Sequence, residues 1–439
     1  MFGRKVAQMQ GAEKFATGAT LEVVRIANIS ATPQVGNFGF KHYLLGGDMK
    51  SVRDIDVNGK TLFIRVDYNL PMDDQGNITD DNRIRATLEL ITYLIEKKAK
   101  LVLASHLGRP KGGRDEKFSL KPAAVRLSEL LNTPVAFADD CIGDAVKKQV
   151  EALEPGQILM LENLRFHDAE KKNDPEFAKA LADLCDVYVN NAFAVSHRDQ
   201  ASVTGITMYA KLSVAGFLLE KEVRSYYDSV ENPKKPLVVV IGGAKVSSKL
   251  AALENMLKFV DCMIIGGAMA NTFLAANGVD TKGSMIETDL IEIASDIMAH
   301  AKEKGIDLRL PVDLVVADRF DKDAESRTVS LDEIPDGWMA LDIGPESAKS
   351  FANVIATAGT IVWNGPMGVF EMDRFSAGTQ TLADAIAQSS AFSVVGGGDT
   401  GLAAKQCGIT ENVSYISTGG GAFLHMMEGK VLPGVAALE

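Results

Sequence analysis

Polar side chains recur just after the apolar runs of the first half of this sequence. Asp67 and Asn69 follow TLFIRV (61–66), and His106 and Arg109 follow KLVLAS (100–105). Asn163, Arg165 and His167 follow ILML (158–161), and His197 and Arg198 follow DVYVN (186–190). Arg83 stands behind a run of acidic and polar residues. The planar guanidinium fork binds carboxylate or phosphate through two hydrogen bonds at once. Several Arg and His side chains gathered on one edge of an acidic protein therefore describe a local anion pocket. Taken singly, His106, His167 or His197 reads as an ordinary hydrogen-bonded residue and Arg165 as a structural ion pair. The repeat over four strand ends carries the signal.

The second half carries glycine where the first carries arginine. In KPLVVVIGGAKVSSKL (235–250), Leu237–Ile241 reads as a buried parallel strand, Gly242 and Gly243 end it, and helical character begins at Val246. A strand, a glycine turn and a helix start leave backbone N–H groups free to meet phosphate. Lys245 sits within that turn and Lys249 one helical turn on. The G-x-x-x-x-G-K-[ST] loop is absent. CMIIGGAMAN, TIVWNGPMGVF, FSVVGGGDTG and VSYISTGGGA continue the pattern, letting backbone approach a nucleotide closely. Gly396, Gly398 and Gly401 also fit the dinucleotide pattern G-x-G-x-x-G, which wants an acid about 20 residues on for the ribose. Here the next strand ends in Ser417 and Thr418, with no acid before Glu428. Asp399 inside the loop would repel a pyrophosphate unless a cation lay between them, which favours Mg²⁺-nucleotide over NAD.

Alternating strand and helix patterns must position these groups. Helical spacing covers 81–98, with Ile84, Leu88, Ile91 and Leu94 or Ile95 on one face, and also 122–131 and 175–184. Such alternation argues for parallel sheets covered by helices on both faces, with ligands at the strand C-termini. LRLPVDLVVA reads as one further strand, and residues 215–236 as a single connecting helix stopped by Pro233 and Pro236. At 439 residues, two domains are expected. Hydrophobic content of 46% and charged content of 24% describe a soluble globular protein, and a net charge of −12 argues against general nucleic-acid binding. No apolar run approaches the roughly 20 residues that span a bilayer. Cys141, Cys185, Cys262 and Cys407 lie far apart and read as small buried residues of a reducing compartment, the cytoplasm, with no zinc or disulfide spacing. Residues 1–48 lack the alternation and hold no signal-peptide core; they are expected to be mobile, a translated leader ahead of a natural start at Met49.

VDYNLP, DDNRI, SHLGRP, ENLRF, GGAKVSSK, WNGPMGVFE, GGGDT and STGGGA together closely resemble the phosphoglycerate kinase family, in its order and spacing, from about Met49 to the end. The resemblance implies an α/β fold of two Rossmann-like three-layer parallel-sheet domains, separated by a cleft and joined by a long helix. It places a 3-phosphoglycerate domain at 49–217, a nucleotide domain at 218–420 and a tail at 421–439 returning to the first. It implies that Asp67, Asn69, Arg83, His106, Arg109, Arg165 and Arg198 hold 3-phosphoglycerate or 1,3-bisphosphoglycerate. Mg²⁺ with ATP or ADP would lie on Gly243, Ala244, Lys245, Lys249, Gly267, Asn364, Pro366, Glu371, Gly397, Gly398, Asp399 and Thr400, with Asp399 toward the metal. Arg83, Lys245 and Gly398 would be catalytic. Tyr68, where phenylalanine is common, and Met367 depart from the pattern without touching a charged role. The expected partners are small molecules alone, with no nucleic acid or membrane, and closure of two domains in one chain suits a monomer. A dehydrogenase is the alternative from the lone glycine fingerprint, and a scaffold that has lost catalysis is the third reading. The second lacks its acid, and the third would show broken charged positions where Arg83, Lys245 and Asp399 stand intact.

Overall fold

Runs of β-branched and leucine residues can be buried on both faces only between helical layers, and here they become the centres of two parallel sheets. A computed structural model describes residues 49–111 and 113–439. The expected leader, 1–48, lies outside the described residues. The first sheet contains β1 (Thr61–Arg65), β2 (Lys100–Ala104), β3 (Val135–Phe137), β4 (Ile158–Met160), β5 (Val187–Asn190) and β6 (Ser213–Ala215). Its order is β3-β4-β2-β1-β5-β6, parallel throughout. The second contains β7 (Leu237–Ile241), β8 (Cys262–Ile265), β9 (Asp307–Arg309), then, beyond an insertion, β13 (Thr360–Asn364), β14 (Phe392–Val395) and β15 (Tyr415–Ile416). Its order is β15-β14-β13-β7-β8-β9, again all parallel. The insertion is an antiparallel sheet of β10 (Asp313–Ala317), β11 (Ser326–Ser330) and β12 (Met339–Ile343). Strand order reverses at β1/β5 in the first sheet and at β7/β13 in the second, the points where open α/β sheets form their crevices.

Several elements differ from the sequence reading for local reasons. LRLPVDLVVA is two strands, divided at Pro311: β9 stays in the parallel sheet and β10 leaves it. Proline has no N–H to donate to a ladder, and β9, at the sheet edge, ends just before it. The 81–98 stretch is two helices, Asn82–Arg85 and Leu88–Glu96. Between them the buried Thr87 hydroxyl bonds Ile84 O and Tyr68 Oη, each at 2.7 Å. Helix after β7 begins at Leu250, not Val246, because residues 246–249 form a tight turn closed by Lys249 N–H to Val246 O. The connecting segment is an α-helix only over Phe217–Tyr226, continues as a π-turn over Tyr227–Glu231, and starts after β6. The helix Asp144–Glu151 and β6 itself went unread, the latter because three residues give too short a pattern.

The connecting helix ties the two sheets into one apolar cluster. Leu219, Val223, Tyr226 and Val230 pack in the same buried core as Phe63 and Tyr188 of the first sheet and Leu237 and Val239 of the second. The C-terminal segment returns across it: Tyr226 Oη donates to Met426 O at 2.6 Å. Further on, Gly434 N–H donates to Ser196 O and Asn190 Nδ2 to Gly434 O, beside β5. Glu222 of the connecting helix accepts from Thr418 N and Thr418 Oγ1 at 2.7 and 2.8 Å. Among the described residues no helix is long and apolar enough to cross a membrane.

Burial pushes the Glu222 carboxyl up to about 7, against the opposing pull of the Thr418 and Ser417 bonds. A folded value above the unfolded one means that its stability contribution is full at low pH and is lost as pH rises through about 7. Glu222→Gln, which stays neutral, should therefore gain several degrees of Tm relative to the parent between about pH 5 and about pH 8. Melting curves across that range check this; a Tm difference independent of pH would contradict it.

Candidate active site

The first sheet's edge is built around a charged residue inside an apolar strand. Arg65 ends β1 and is fully buried. Its Nε donates to Ser202 Oγ at 2.9 Å, one terminal nitrogen to Val66 O, and the other to His106 Nδ1 at 3.2 Å. Because arginine offers only donors, Nδ1 accepts and the His106 ring proton belongs on Nε2. Ser202 is itself fixed by the buried Glu170, which accepts from Ser202 Oγ at 2.6 Å and Ser202 N at 2.9 Å. Arg65, Ser202 and Glu170 went unsingled by sequence reasoning; the arginine within TLFIRV was the available signal, since a core strand tolerates a charge only when it is paired.

Around this pair gather the predicted pocket residues. Arg83, at the start of its short helix, pairs with Asp67, whose other oxygen lies 3.8 Å from His106 Nδ1. Asn69 Oδ1 accepts from Gly108 N–H at 2.8 Å, holding the loop that carries Arg109. Arg165 lies on the 3-10 turn Leu164–Phe166, capped by the Asn163 side chain. It donates from Nη1 to Gly108 O at 2.9 Å, while its Nε and Nη2 are buried without a partner. Burial, then the charges of Arg198 and Arg65, bring its guanidinium down to about 10. Burial and Arg109 also lower Arg198, whose Nε donates to His197 Nε2 at 3.3 Å. His106 is held well below its ordinary value by burial and then by Arg65, Arg165, Arg198 and Arg83, and is neutral at neutral pH. His197 falls to about 4 through burial, Arg198 and His425. Arg109 is exposed. His167 does not join the arginines: its Nε2 bonds Asp140 Oδ1 at 2.6 Å and its ring meets Phe177.

The second sheet's edge is a set of interlocked backbone turns. Gly242 N–H donates to Asn364 O, joining the ends of β7 and β13, and a Cβ on Gly242 would lie 2.1 Å from Pro366 O. Gly267 N–H donates to Met367 O, and Met269 N–H to Gly243 O. Met367 fills the space left by Gly266, where a Cβ would stand 2.3 Å from its sulfur. Asn364 Nδ2 donates to Gly396 O at 2.9 Å, and Gly365 N–H to Thr400 Oγ1 at 2.7 Å, so the loops after β7, β13 and β14 are one unit. Lys249 closes it, with Nζ on Asn364 O at 2.7 Å and on Asn364 Oδ1. Burial lowers that amine to about 7, opposed by Asp399. Gly397 (φ 101°) caps the helix Gly398–Gln406, and the space beside Gly398 is open. Lys245, Asp399 and Glu371 are exposed, Ala244 and Pro366 half-buried. No side-chain bond ties Glu371 into this unit among the described residues.

The two edges are connected directly. Lys405, on the helix that starts at Gly398, pairs with Asp80 ahead of Arg83 at 2.9 Å. Ser417–Gly420 runs between them: a Cβ on Gly419 would meet Phe193 and Ala194 beyond β5, and one on Gly420 would meet Gly397 and Gly398. An arginine-lined edge and a glycine-lined edge thus occur in one fold, with residues 52–430 matching the family described as "Phosphoglycerate kinase". The chain belongs to the phosphoglycerate kinase family. It is 63% identical over 391 residues to the phosphoglycerate kinase of Desulforapulum autotrophicum, covering 89% of this chain and 100% of that one. It is 54% identical to that of Geotalea uraniireducens, over 88% and 96% of the two chains. Among solved structures, phosphoglycerate kinase from Coxiella burnetii superposes with a TM-score of 0.82 at 44% identity, over 89% of this chain and 98% of that one. The enzyme from Pyrococcus horikoshii OT3 gives 0.76 at 35% identity, over the same shares. Membership overturns the dehydrogenase alternative, since the glycine fingerprint lies within the matched family pattern.

Mutual repulsion among Arg65, Arg165 and Arg198 should be relieved by any compact dianion. Sulfate is expected to raise the Tm of the parent chain. Arg198→Met should lose most of that gain while melting at or above the parent in sulfate-free buffer. Thermal scans with and without sulfate decide it; an undiminished sulfate effect in the variant would count against the charge account.

Proposed function

We infer that this chain is an ATP:3-phosphoglycerate phosphotransferase of glycolysis, moving a phosphoryl group reversibly between 1,3-bisphosphoglycerate and ADP. Family membership supports the reaction. The observation that carries the residue assignments is Arg165, a buried guanidinium with two N–H-bearing nitrogens unpartnered, among other arginines. Burying such a group is costly unless an anion completes it. On this reading Asp67, Asn69, Arg83, His106, Arg109, Arg165 and Arg198 hold the phosphorylated acid, with neutral His106 donating from Nε2. Arg65 acts through His106 as a positioning residue. The nucleotide lies on Gly243, Ala244, Lys245, Lys249, Gly267, Asn364, Pro366, Glu371 and the Gly397–Thr400 loop. The domains run over 49–217 and 218–420, with 421–439 returning to the first, as the Gly434–Ser196 and Asn190–Gly434 bonds support.

The attacking oxygen of the acid is a carboxylate, ionised at neutral pH, so the site needs no general base. Catalysis reduces to in-line placement and neutralisation of charge on the transferred group. Lys245 is free to reach phosphate oxygens, being exposed and without an ion-pair partner among the described residues. Arg83 leaves its pairing with Asp67 to meet the transferred group, and the Gly398 N–H, at a helix start, adds a backbone donor. The exposed Asp399 carboxylate fits Mg²⁺, a hard cation that takes carboxylate and phosphate oxygens together. Bound with the nucleotide, Mg²⁺ supplies charge neutralisation on its phosphates. Movement of one sheet unit toward the other, about the Ser417–Gly419 segment, brings donor and acceptor together and excludes water. The cytoplasm and a monomeric state complete the proposal.

Coupled turnover of Mg-ATP with 3-phosphoglycerate tests the reaction, and dependence on both substrates is expected. Arg83→Ala and Lys245→Ala should each lower kcat by ~10²–10³ with unchanged melting behaviour, the scale of losing one preorganised donor. Full kcat in either variant removes that residue from the mechanism.

A further inference from the structure

Asp140, Cys141 and His167 offer one carboxylate oxygen, one sulfur and one imidazole nitrogen, all within 4.8 Å of one another. We propose that these three side chains form a binding site for a borderline-soft divalent ion of the Zn²⁺ type, separate from the Mg²⁺ of the nucleotide.

The donor set and its setting both support a cation. Cys141 leads out of the loop after β3, and His167 follows the Leu164–Phe166 turn after β4, so neighbouring strands bring together residues far apart in sequence. The 25 residues between them are why no ligand spacing appears in the sequence. Asp140 is pre-positioned, since its Oδ1 accepts the Cys141 N–H at 2.7 Å and meets His167 Nε2 at 2.6 Å. A bound dication takes the place of the proton between His167 Nε2 and Asp140, the neutral imidazole then carrying its one ring proton on Nδ1. Metal–ligand bonds of about 2.0–2.3 Å require the two to separate by under about 1 Å. The Asp140 side chain, 52% exposed, and that of His167, 31% exposed, leave a path from solvent, while Cys141 is wholly buried beneath them. Burial and the charges of Asp140 and Glu170 raise the thiol well above its ordinary value, a cost that the positive charge of the ion offsets. As the sulfur–metal bond forms, Cys141 gives its proton to solvent and becomes a thiolate. Thiolate and imidazole select Zn²⁺ over Mg²⁺, and three protein ligands leave the fourth tetrahedral position to water.

Co²⁺, which takes the same tetrahedral sites and reports on sulfur ligation, is the probe. Titrating the full chain should produce a sulfur-to-cobalt charge-transfer band saturating at one ion per chain, bleached by Zn²⁺ and unaffected by excess Mg²⁺. Cys141→Ser should abolish the band. His167→Gln, at a half-exposed position, should weaken Co²⁺ binding at least about ten-fold while leaving turnover and circular dichroism unchanged, and it decides the matter even where the cysteine variant folds poorly. Absence of the band in the parent, or a band that persists undiminished in His167→Gln, overturns the proposal.

Discussion

Positive charge held at close quarters without its counter-charge is the constraint on which the first half of this structure depends. Arg65, Arg165 and Arg198 repel one another in partly desolvated surroundings, where charges interact far more strongly than in water. Asp67 answers part of that charge, being paired with Arg83 and near His106. The scaffold bears the remainder through buried supports: Glu170 on Ser202, Ser202 on Arg65, Arg65 on His106. On the proposed reading, a phosphorylated acid supplies the remaining counter-charge.

The second half solves a different problem with different residues. Nucleotide phosphates need many weak donors close together, and backbone supplies these only where side chains are absent. Gly242, Gly267 and Gly365 let three loops come within van der Waals distance, and Asn364, Thr400 and Lys249 lock them together. Exposed Lys245 and Asp399 are left free at the rim. One edge is thus lined by cationic side chains, the other by backbone. The connecting helix, the Glu222–Thr418 hydrogen bond and the returning tail tie the two sheets together.

Much of this was legible in the sequence because period and position report on strands directly. Buried parallel strands such as Leu237–Ile241 leave unbroken apolar runs, and their ends were read to within a residue or so. Arg165 and His106 could be placed on one edge because a parallel sheet puts every strand's C-terminus there. What stayed hidden depends on contacts between distant residues. Nothing local distinguishes His167, turned to Asp140, from His106, held by Arg65. Pro311 was visible but its consequence, a strand leaving the sheet to found an antiparallel insertion, required knowing which ladder β10 joins. The start of the helix at Leu250 was misplaced because the 246–249 turn imitates a helical first turn.

The central claim is that the Arg165 guanidinium, two of whose nitrogens are buried without a partner, is the seat of the substrate's phosphate. Calorimetric titration of the full chain and of Arg165→Met, with 3-phosphoglycerate and with unphosphorylated glycerate, tests it most directly. The account predicts that the parent binds 3-phosphoglycerate at least about ten-fold more tightly than glycerate, and that Arg165→Met loses at least ten-fold in 3-phosphoglycerate affinity, the scale of one desolvated charge-assisted contact. Equal affinity for the two acids in the parent, or unchanged 3-phosphoglycerate affinity in the variant, would contradict it.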